Sequence, residues 1–316
     1  MTTRDFRIPD DLIVGPDRES LAALAGPANW GIERFAVQTL SEIADGTGIV
    51  VGVIDTGIDS AHPDLNGRVI EAADFTGGGN SLDRNGHGTH CAGTIAAGNP
   101  QIGVANGARL VCGKGLSDGG SGSGRGIAAA MHWCVERGAT ILSLSLGSPD
   151  PDPDIDAAGR VLTERGIWIV AAAGNSGGNT PNVDFPGRFP WAISVAAVDE
   201  QLRVASFSSA GAKIDTSAAG TNVWSCRPGG GYRQMSGTSM ATPFAAGVLA
   251  MYRSGLVKQN RQILSAEQLR TILRDRSMDL APIGVDRRTG PGAIWPLLLA
   301  SDLEPDPFPI TTGVAP

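Results

Sequence analysis

The feature that most constrains this chain is a segment with no polar face. Ile49-Val50-Val51-Gly52-Val53-Ile54 is apolar without interruption. A strand with one wetted face alternates, so a short continuous run of branched residues predicts a strand buried on both sides, as in a parallel sheet. Related runs recur at Ala108–Cys112, Thr140–Leu146, Ile167–Ala173 and Trp191–Ala197, separated by stretches of helical length such as Gly126–Arg137 and Ile155–Arg165. Parallel strands need crossovers, and strand alternating with helix supplies them. The expected fold class is α/β, with a mainly parallel central sheet and helices on both faces. Further helices are expected at Ser239–Met251 and Ser265–Asp275, the latter opening on Ser265-Ala266-Glu267-Gln268, a capping-box pattern.

With 316 residues, 41% of them hydrophobic and 18% charged, the chain can fill one large core. Its 44 glycines, without a collagen period, imply many tight turns and close backbone approaches. A formal charge of −7 leaves no basic stripe for phosphates and argues against a nucleic-acid partner. No run of 18 apolar residues occurs, so no membrane partner is expected, and no early segment reads as a signal peptide. With Met1 as the start, a cytoplasmic protein is expected; a secreted one would need a leader ahead of this numbering. Cys91, Cys112, Cys134 and Cys226 are far apart with no CxxC spacing, and read as reduced core thiols. Residues 1–30 read as a polar N-terminal extension rather than a core element, 31–302 as the main domain, and 303–316 as a Pro-rich, acidic tail.

Three segments concentrate the unusual residues. Val53-Ile54-Asp55-Thr56-Gly57 ends a buried strand on a carboxylate, where α/β sheets collect ligands. Asn85-Gly86-His87-Gly88-Thr89-His90-Cys91 leads a histidine into a helix of small residues, and Gly237-Thr238-Ser239-Met240-Ala241 places a serine at the start of an apolar one. A serine hydroxyl becomes nucleophilic when an imidazole takes its proton, and the imidazole needs a buried carboxylate to fix its tautomer. Each segment has another reading. Asp55-Thr56-Gly57 matches the aspartic-protease triplet, but no second Asp-Thr-Gly occurs. His87 and His90 stand at metal-ligand spacing without a third ligand nearby, and Ser239 could be a plain helix cap.

Taken together, in the order Asp…His…Ser, the segments resemble the subtilisin-like serine protease family over roughly Gly48 to Ile294. The resemblance implies a three-layer peptidase fold with Asp55 as orienter, His87 as general base and then acid, and Ser239 as nucleophile. Ala171-Ala172-Ala173-Gly174-Asn175-Ser176-Gly177 resembles the family segment whose asparagine enters the oxyanion hole, which assigns that role to Asn175 with the Ser239 backbone N–H. Gly120, Ser121 and Gly122, with Ser145, Leu146 and Gly147, resemble the two edges that clamp substrate as an added strand. Ala172, Ala173 and Gly174, with Asp184–Gly187, match the pocket for the side chain before the cut. If Asp184 points into that pocket, basic side chains gain.

The chemistry implied needs no cofactor. The family often holds a structural calcium at the Asp of a His-Pro-Asp-Leu segment, here Asp64. The later loop, Gly98-Asn99-Pro100-Gln101, is short and has no acidic residue, so the calcium is uncertain and the metal content unknown. Asp152, Asp154 and Asp156 read as an acidic helix start rather than a cation site. Phe244 stands where many relatives have histidine, and local repacking is expected. Cys91 follows the catalytic histidine as in proteinase K-like relatives, which predicts sensitivity to mercurials. The short leader resembles that of intracellular subtilisins, and Arg7-Ile8-Pro9-Asp10 is a candidate plug of the cleft. The expected partner is a protein or peptide substrate, with the chain's own N-terminal segment as inhibitor. A catalytically silent scaffold of the same fold, and an esterase or peptide ligase, are the alternatives.

Overall fold

The computed structural model describes residues 5–8, 13–18, 27–179 and 182–304. Its centre is a nine-stranded sheet, in the order Ser277–Met278, Ala293–Ile294, Thr216–Ala219, Ile193–Val198, Trp168–Ala172, Ile141–Leu144, Val50–Asp55, Arg109–Lys114, Val69–Asp74. Every pairing is parallel except that of the edge strand Ser277–Met278 with Ala293–Ile294. The five expected apolar runs all lie in this sheet, because its central strands are covered on both faces.

Strand Val50–Asp55 shows how. Val51 and Val53 belong to one apolar core, with helices His87–Ala96 and Thr238–Lys258, while Ile54 belongs to a second, with helices Gly124–Glu136 and Pro153–Glu164. Two helix layers therefore enclose the sheet, the three-layer α/β arrangement. Gly52 makes one contact possible: a Cβ there would lie 2.6 Å from Leu142 Cδ2 and 2.9 Å from Cys134 Cβ. Helix Thr238–Lys258 is buried continuously from Thr238 to Leu256, as an apolar helix in the middle of a large core must be. Phe244 is seated there against Phe35, 5.1 Å between ring centroids, so the departure at this position is absorbed by packing.

The chain leaves Val50–Asp55 toward Val69–Asp74 and Arg109–Lys114 on one side, then crosses to Ile141–Leu144 and builds outward on the other. Strand order reverses at Val50–Asp55, and at such a switch point a crevice opens beyond the carboxyl ends of the strands. Asp55 is the last residue of that strand.

Helices Ala266–Arg276 and Pro153–Glu164 begin where the sequence indicates. Ser265 and Gln268 make both bonds of the capping box, and Asp152 caps Asp154 and Ile155 with its side chain. Not anticipated were Val69–Asp74, the hairpin Val223–Cys226 with Tyr232–Ser236, and helices Trp30–Arg34, Val37–Ser41 and Pro296–Leu303. Nor is the N-terminal segment wholly outside the core. Asp5–Arg7 and Ile13–Arg18 are strands, and Phe6 is fully buried with Leu116, Ile127 and Leu146. A three-residue strand carries too little periodicity to be read from sequence. The Pro-rich tail from Pro305 onward lies outside the described residues. The four cysteines are buried free thiols. Among the described residues no helix is long and apolar enough to cross a membrane.

Candidate active site

Asp55 is 1% exposed, and its Oδ1 accepts hydrogen bonds of 2.7 Å from Thr56 N–H and from His87 Nδ1–H. His87 opens helix His87–Ala96 directly after Gly86, whose φ of 97° favours glycine. Burial alone would push the His87 pKa down; the Asp55 carboxylate against the ring reverses this and holds it well above the usual histidine value. With Nδ1–H committed to Asp55, Nε2 is the basic nitrogen. It is buried and has no hydrogen-bond partner among the described residues.

Ser239 is the second residue of helix Thr238–Lys258, so its backbone N–H lacks an intrahelical acceptor and lies at the positive end of the helix dipole. Its carbonyl would ordinarily be satisfied by the N–H of residue 243, but that residue is Pro243 and has none. Ser145 Oγ–H at 2.9 Å and Cys91 S–H at 3.5 Å donate to it instead. Helix chemistry thus explains why Ser145 and Cys91 crowd this point. The bond expected between Ser239 and His87 is not made: Ser239 Oγ–H donates to Ser145 O at 3.4 Å. A hydroxyl carries one proton and turns freely about its Cα–Cβ bond, so the resting side chain takes the backbone acceptor beside it.

Asn175 is oriented by Thr238. Its Oδ1 accepts from Thr238 N–H at 2.9 Å and Thr238 Oγ–H at 2.8 Å, and the amide Nδ2 is buried with no acceptor among the described residues. Such an orphan donor is costly in a folded protein unless a ligand completes it. Together with the Ser239 N–H it can stabilise an anionic oxygen.

The two edge segments flank the chain's own N-terminal strand. Asp5–Arg7 pairs antiparallel with Ser121–Ser123, Ile8 N–H donates to Gly120 O at 2.9 Å, and Arg7 exchanges backbone bonds of 3.4 and 3.2 Å with Gly147. Strand Ile13–Arg18 then pairs with Tyr232–Ser236, Ile13 lying opposite Ser236, three residues before Ser239. Pro9 and Asp10 lie outside the described residues. Ala172, Ala173 and Gly174 meet Asp184: Asp184 N–H donates to Ala173 O, and a Cβ on Gly174 would lie 2.3 Å from Asp184 Oδ2. A Cβ on Gly147 would lie 3.4 Å from the same oxygen, which places the Asp184 carboxylate between Gly174 of the pocket and Gly147 of the neighbouring edge segment.

His90 does not converge with His87. Its Nε2–H is shared between Val223 O at 3.0 Å and Arg233 O at 3.1 Å, which ends the two-histidine metal reading. Asp55, His87 and Cys91 offer ligand atoms within 4.8 Å of one another, but Asp55 and His87 are already joined by their hydrogen bond. The Cys91 sulfur lies 3.9 Å from His87 Nδ1, and burial pushes its pKa up, so it is a thiol. The Asp64 corner does not fit calcium. Asp64 Oδ2 accepts from Tyr232 O–H at 2.7 Å, Asn99 donates its amide to the same phenol, and the Gly98–Gln101 loop adds no carboxylate toward the six to eight oxygens calcium takes. Sequence reasoning missed Thr56, Asp83 and Thr238, which hold these groups. For Asp83 a signal existed, an acidic residue just ahead of a helix start.

An imidazole paired to a buried carboxylate, a hydroxyl at a helix start and a buried asparagine amide thus belong to one region at the sheet switch point, an arrangement suited to serine hydrolases. The sequence profile of the subtilase family (Peptidase_S8) matches residues 46–292. M-protease of Shouchella clausii (strain KSM-K16) is 43% identical over 265 residues, covering 82% of this chain and 67% of the relative. Subtilisin Savinase of Lederbergia lenta is 44% identical over 256 residues, 79% of this chain and 91% of the relative, and thermitase of Thermoactinomyces vulgaris is 34% identical over 271 residues, 84% and 91%. The chain belongs to the subtilase family. It is accordingly a serine-type peptidase.

Proposed function

We propose that this endopeptidase works through Ser239 as nucleophile, His87 as general base and then acid, Asp55 as the group that fixes the imidazole, and Asn175 Nδ2 with the Ser239 N–H as oxyanion hole. The observation that carries the reading is the Asp55–His87 bond of 2.7 Å with Nε2 left unpartnered, beside an asparagine whose amide has no acceptor. Ser239 Oγ leaves the Ser145 carbonyl, gives its proton to Nε2 and attacks the peptide carbonyl carbon. The oxyanion takes the two free donors, the C–N bond breaks as His87 protonates the departing amine, and water then enters by the same route to release the acid. Labelling by a fluorophosphonate should occur in the protein lacking residues 1–20 and be absent when Ser239→Ala is added to it; equal labelling would overturn the assignment. A silent scaffold has no need of the orphaned amide and imidazole nitrogen.

Substrate is bound as an extended strand between Gly120–Gly122 and Ser145–Gly147, which favours peptides over simple esters. The side chain before the cut enters the pocket formed by Ala172–Gly174 and Asp184–Gly187, where the Asp184 carboxylate favours lysine and arginine. Cleavage of a peptide library by the parent should show that preference and Asp184→Ala should lose it; identical profiles would refute it. The N-terminal segment acts as a resident inhibitor. Its support is the pairing of residues 5–8 with both edges while Asp55, His87 and Ser239 are all at most 1% exposed. The cytoplasmic assignment rests on the four unpaired thiols, which persist in reducing compartments, and cell fractionation tests it.

A further inference from the structure

Asp83 is a carboxylate that the mechanism above does not use, yet it is only 5% exposed. Its Oδ1 accepts from Thr56 Oγ–H at 2.9 Å, Gly86 N–H at 2.8 Å and Asn85 N–H at 3.1 Å, and its Oδ2 accepts from Thr89 N–H at 2.8 Å. The helix that begins at His87 has Gly86 at its cap position and no side chain there to satisfy its first amides. Asp83 and Thr56 supply the cap from outside: Thr89 is held by Asp83, and Gly88 N–H donates to Thr56 Oγ at 3.0 Å. Thr56 is the residue after Asp55. Hydrogen bonds and chain connectivity therefore form a closed ring running from Asp55 to Thr56, to Asp83, to the helix start, to His87 and back to Asp55.

Lys114 holds the same two segments from the other side. It lies opposite Asp55 in the parallel pair, and its buried ammonium donates to Thr56 O, to Leu82 O at 3.2 Å and to Asp118 Oδ1 at 2.7 Å. Thr56 is thus gripped through its hydroxyl by an anion and through its carbonyl by a cation, and the Leu82–Asp83 segment is gripped at both residues. The fit is close, since a Cβ on Gly88 would meet Gly57 O at 2.2 Å. A strand end and a helix start that are not adjacent in sequence have no covalent reason to stay in register, and a misplacement of 1 Å in a reacting group can cost about a hundred-fold in rate.

We propose that Asp83, backed by Lys114, is a positioning residue of the catalytic pair: it keeps His87 at hydrogen-bonding distance from Asp55 by clamping the segment that follows one to the helix that starts with the other. The proposal rests on the triad assignment above. Its test is Asp83→Asn, with Thr56→Val as the milder removal of one arm of the ring and Leu162→Ala, in the core on the opposite face of the sheet, as a control for lost stability. The expected result is a fall in kcat of about ten- to a hundred-fold with KM unchanged within two-fold, and an acid limb of kcat/KM displaced to lower pH as Asp55 loosens from His87. In a Ser239→Ala background, which needs no turnover, the low-field proton resonance of the His87–Asp55 bond should weaken or vanish in Asp83→Asn and survive in Leu162→Ala. Parent-like kcat, acid limb and resonance in Asp83→Asn would overturn the proposal, as would equal changes in Leu162→Ala. Full activity in Ser239→Ala alone would instead sink the triad assignment while leaving the resonance to report on the clamp.

Discussion

His90 should make this fold acid-labile in a measurable way. The imidazole is fully buried in helix His87–Ala96, with its Nε2–H shared by the carbonyls of Val223 and Arg233 and its Nδ1 without a partner. Protonation would create a second N–H with no acceptor, inside protein rather than water. Burial accordingly pushes the pKa from 6.5 down to about 3. In the unfolded chain the ring takes a proton below pH 6.5; in the folded protein it does not until about pH 3. The unfolded state therefore binds the extra proton between these values, so His90 removes stability as pH falls from 6.5 to 3 and removes none above 6.5. At about 1.4 kcal/mol per pH unit, this amounts to about 2 kcal/mol at pH 5 and about 4 kcal/mol at pH 3, where the folded ring is itself half protonated. Urea unfolding of Ser239→Ala, which cannot digest itself, at pH 7 and pH 5 gives the parent's change. His90→Gln in the same background keeps an amide donor, costs about 1 kcal/mol at pH 7, and should lose about 2 kcal/mol less than the parent on going to pH 5. Parallel losses in the two proteins would refute the reasoning, because every other titrating group is common to both.

Four further outcomes are expected. The acid limb of kcat/KM should lie above 6.5, since the Asp55 carboxylate raises the His87 pKa; Asp55→Asn removes the strongest raising influence, so the limb should move to lower pH while kcat falls by about four orders of magnitude. Asn175→Ala should lower kcat by about 10²–10³ with little change in KM, the known cost of removing this donor in a subtilisin, and a KM effect alone would deny it the oxyanion role. Deleting residues 1–20 should raise turnover of a short peptide substrate, whereas unchanged turnover would dismiss the resident-inhibitor reading. Mercurials should inhibit the parent but not Cys91→Ser, because the Cys91 sulfur lies 3.9 Å from His87 Nδ1 and 3.5 Å from the Ser239 carbonyl; equal inhibition would place their target elsewhere.

What the sequence made legible follows from burial. Val50–Asp55 and Trp168–Ala172 could be recognised because both faces are covered, and their side chains have no solvent to answer to. Val69–Asp74 could not: it is the outer edge strand, with Ile70 46% exposed and Glu71 paired to Arg137, so its pattern resembles a loop. The hairpin strand Tyr232–Ser236 is the middle strand of its small sheet, yet its first three residues are polar or aromatic and only half-buried, so no alternation marks it. Asp55, His87 and Ser239 stood out because each lies at the end or start of a strand or helix, and Asn175 because it sits in a run of glycine and other small residues just after one. Thr56 and Thr238 act by hydrogen-bonding groups remote in sequence, as does Asp83 in its bond to Thr56, and such partners are invisible until the chain is folded. The resting rotation of Ser239 is likewise a choice between two acceptors that only coordinates can distinguish.

The placement of the second N-terminal strand bears on how such an enzyme can be synthesised safely. Ile13–Arg18 has its partner in Tyr232–Ser236, the strand that runs directly into the helix bearing Ser239. During translation, Asp55 and His87 emerge long before the serine, and with no nucleophile they are harmless. On the inhibitor role proposed above, by the time the ribosome has delivered the hydroxyl it has also delivered the strand against which the N-terminal segment pairs. Blade and sheath are completed by the same stretch of polypeptide.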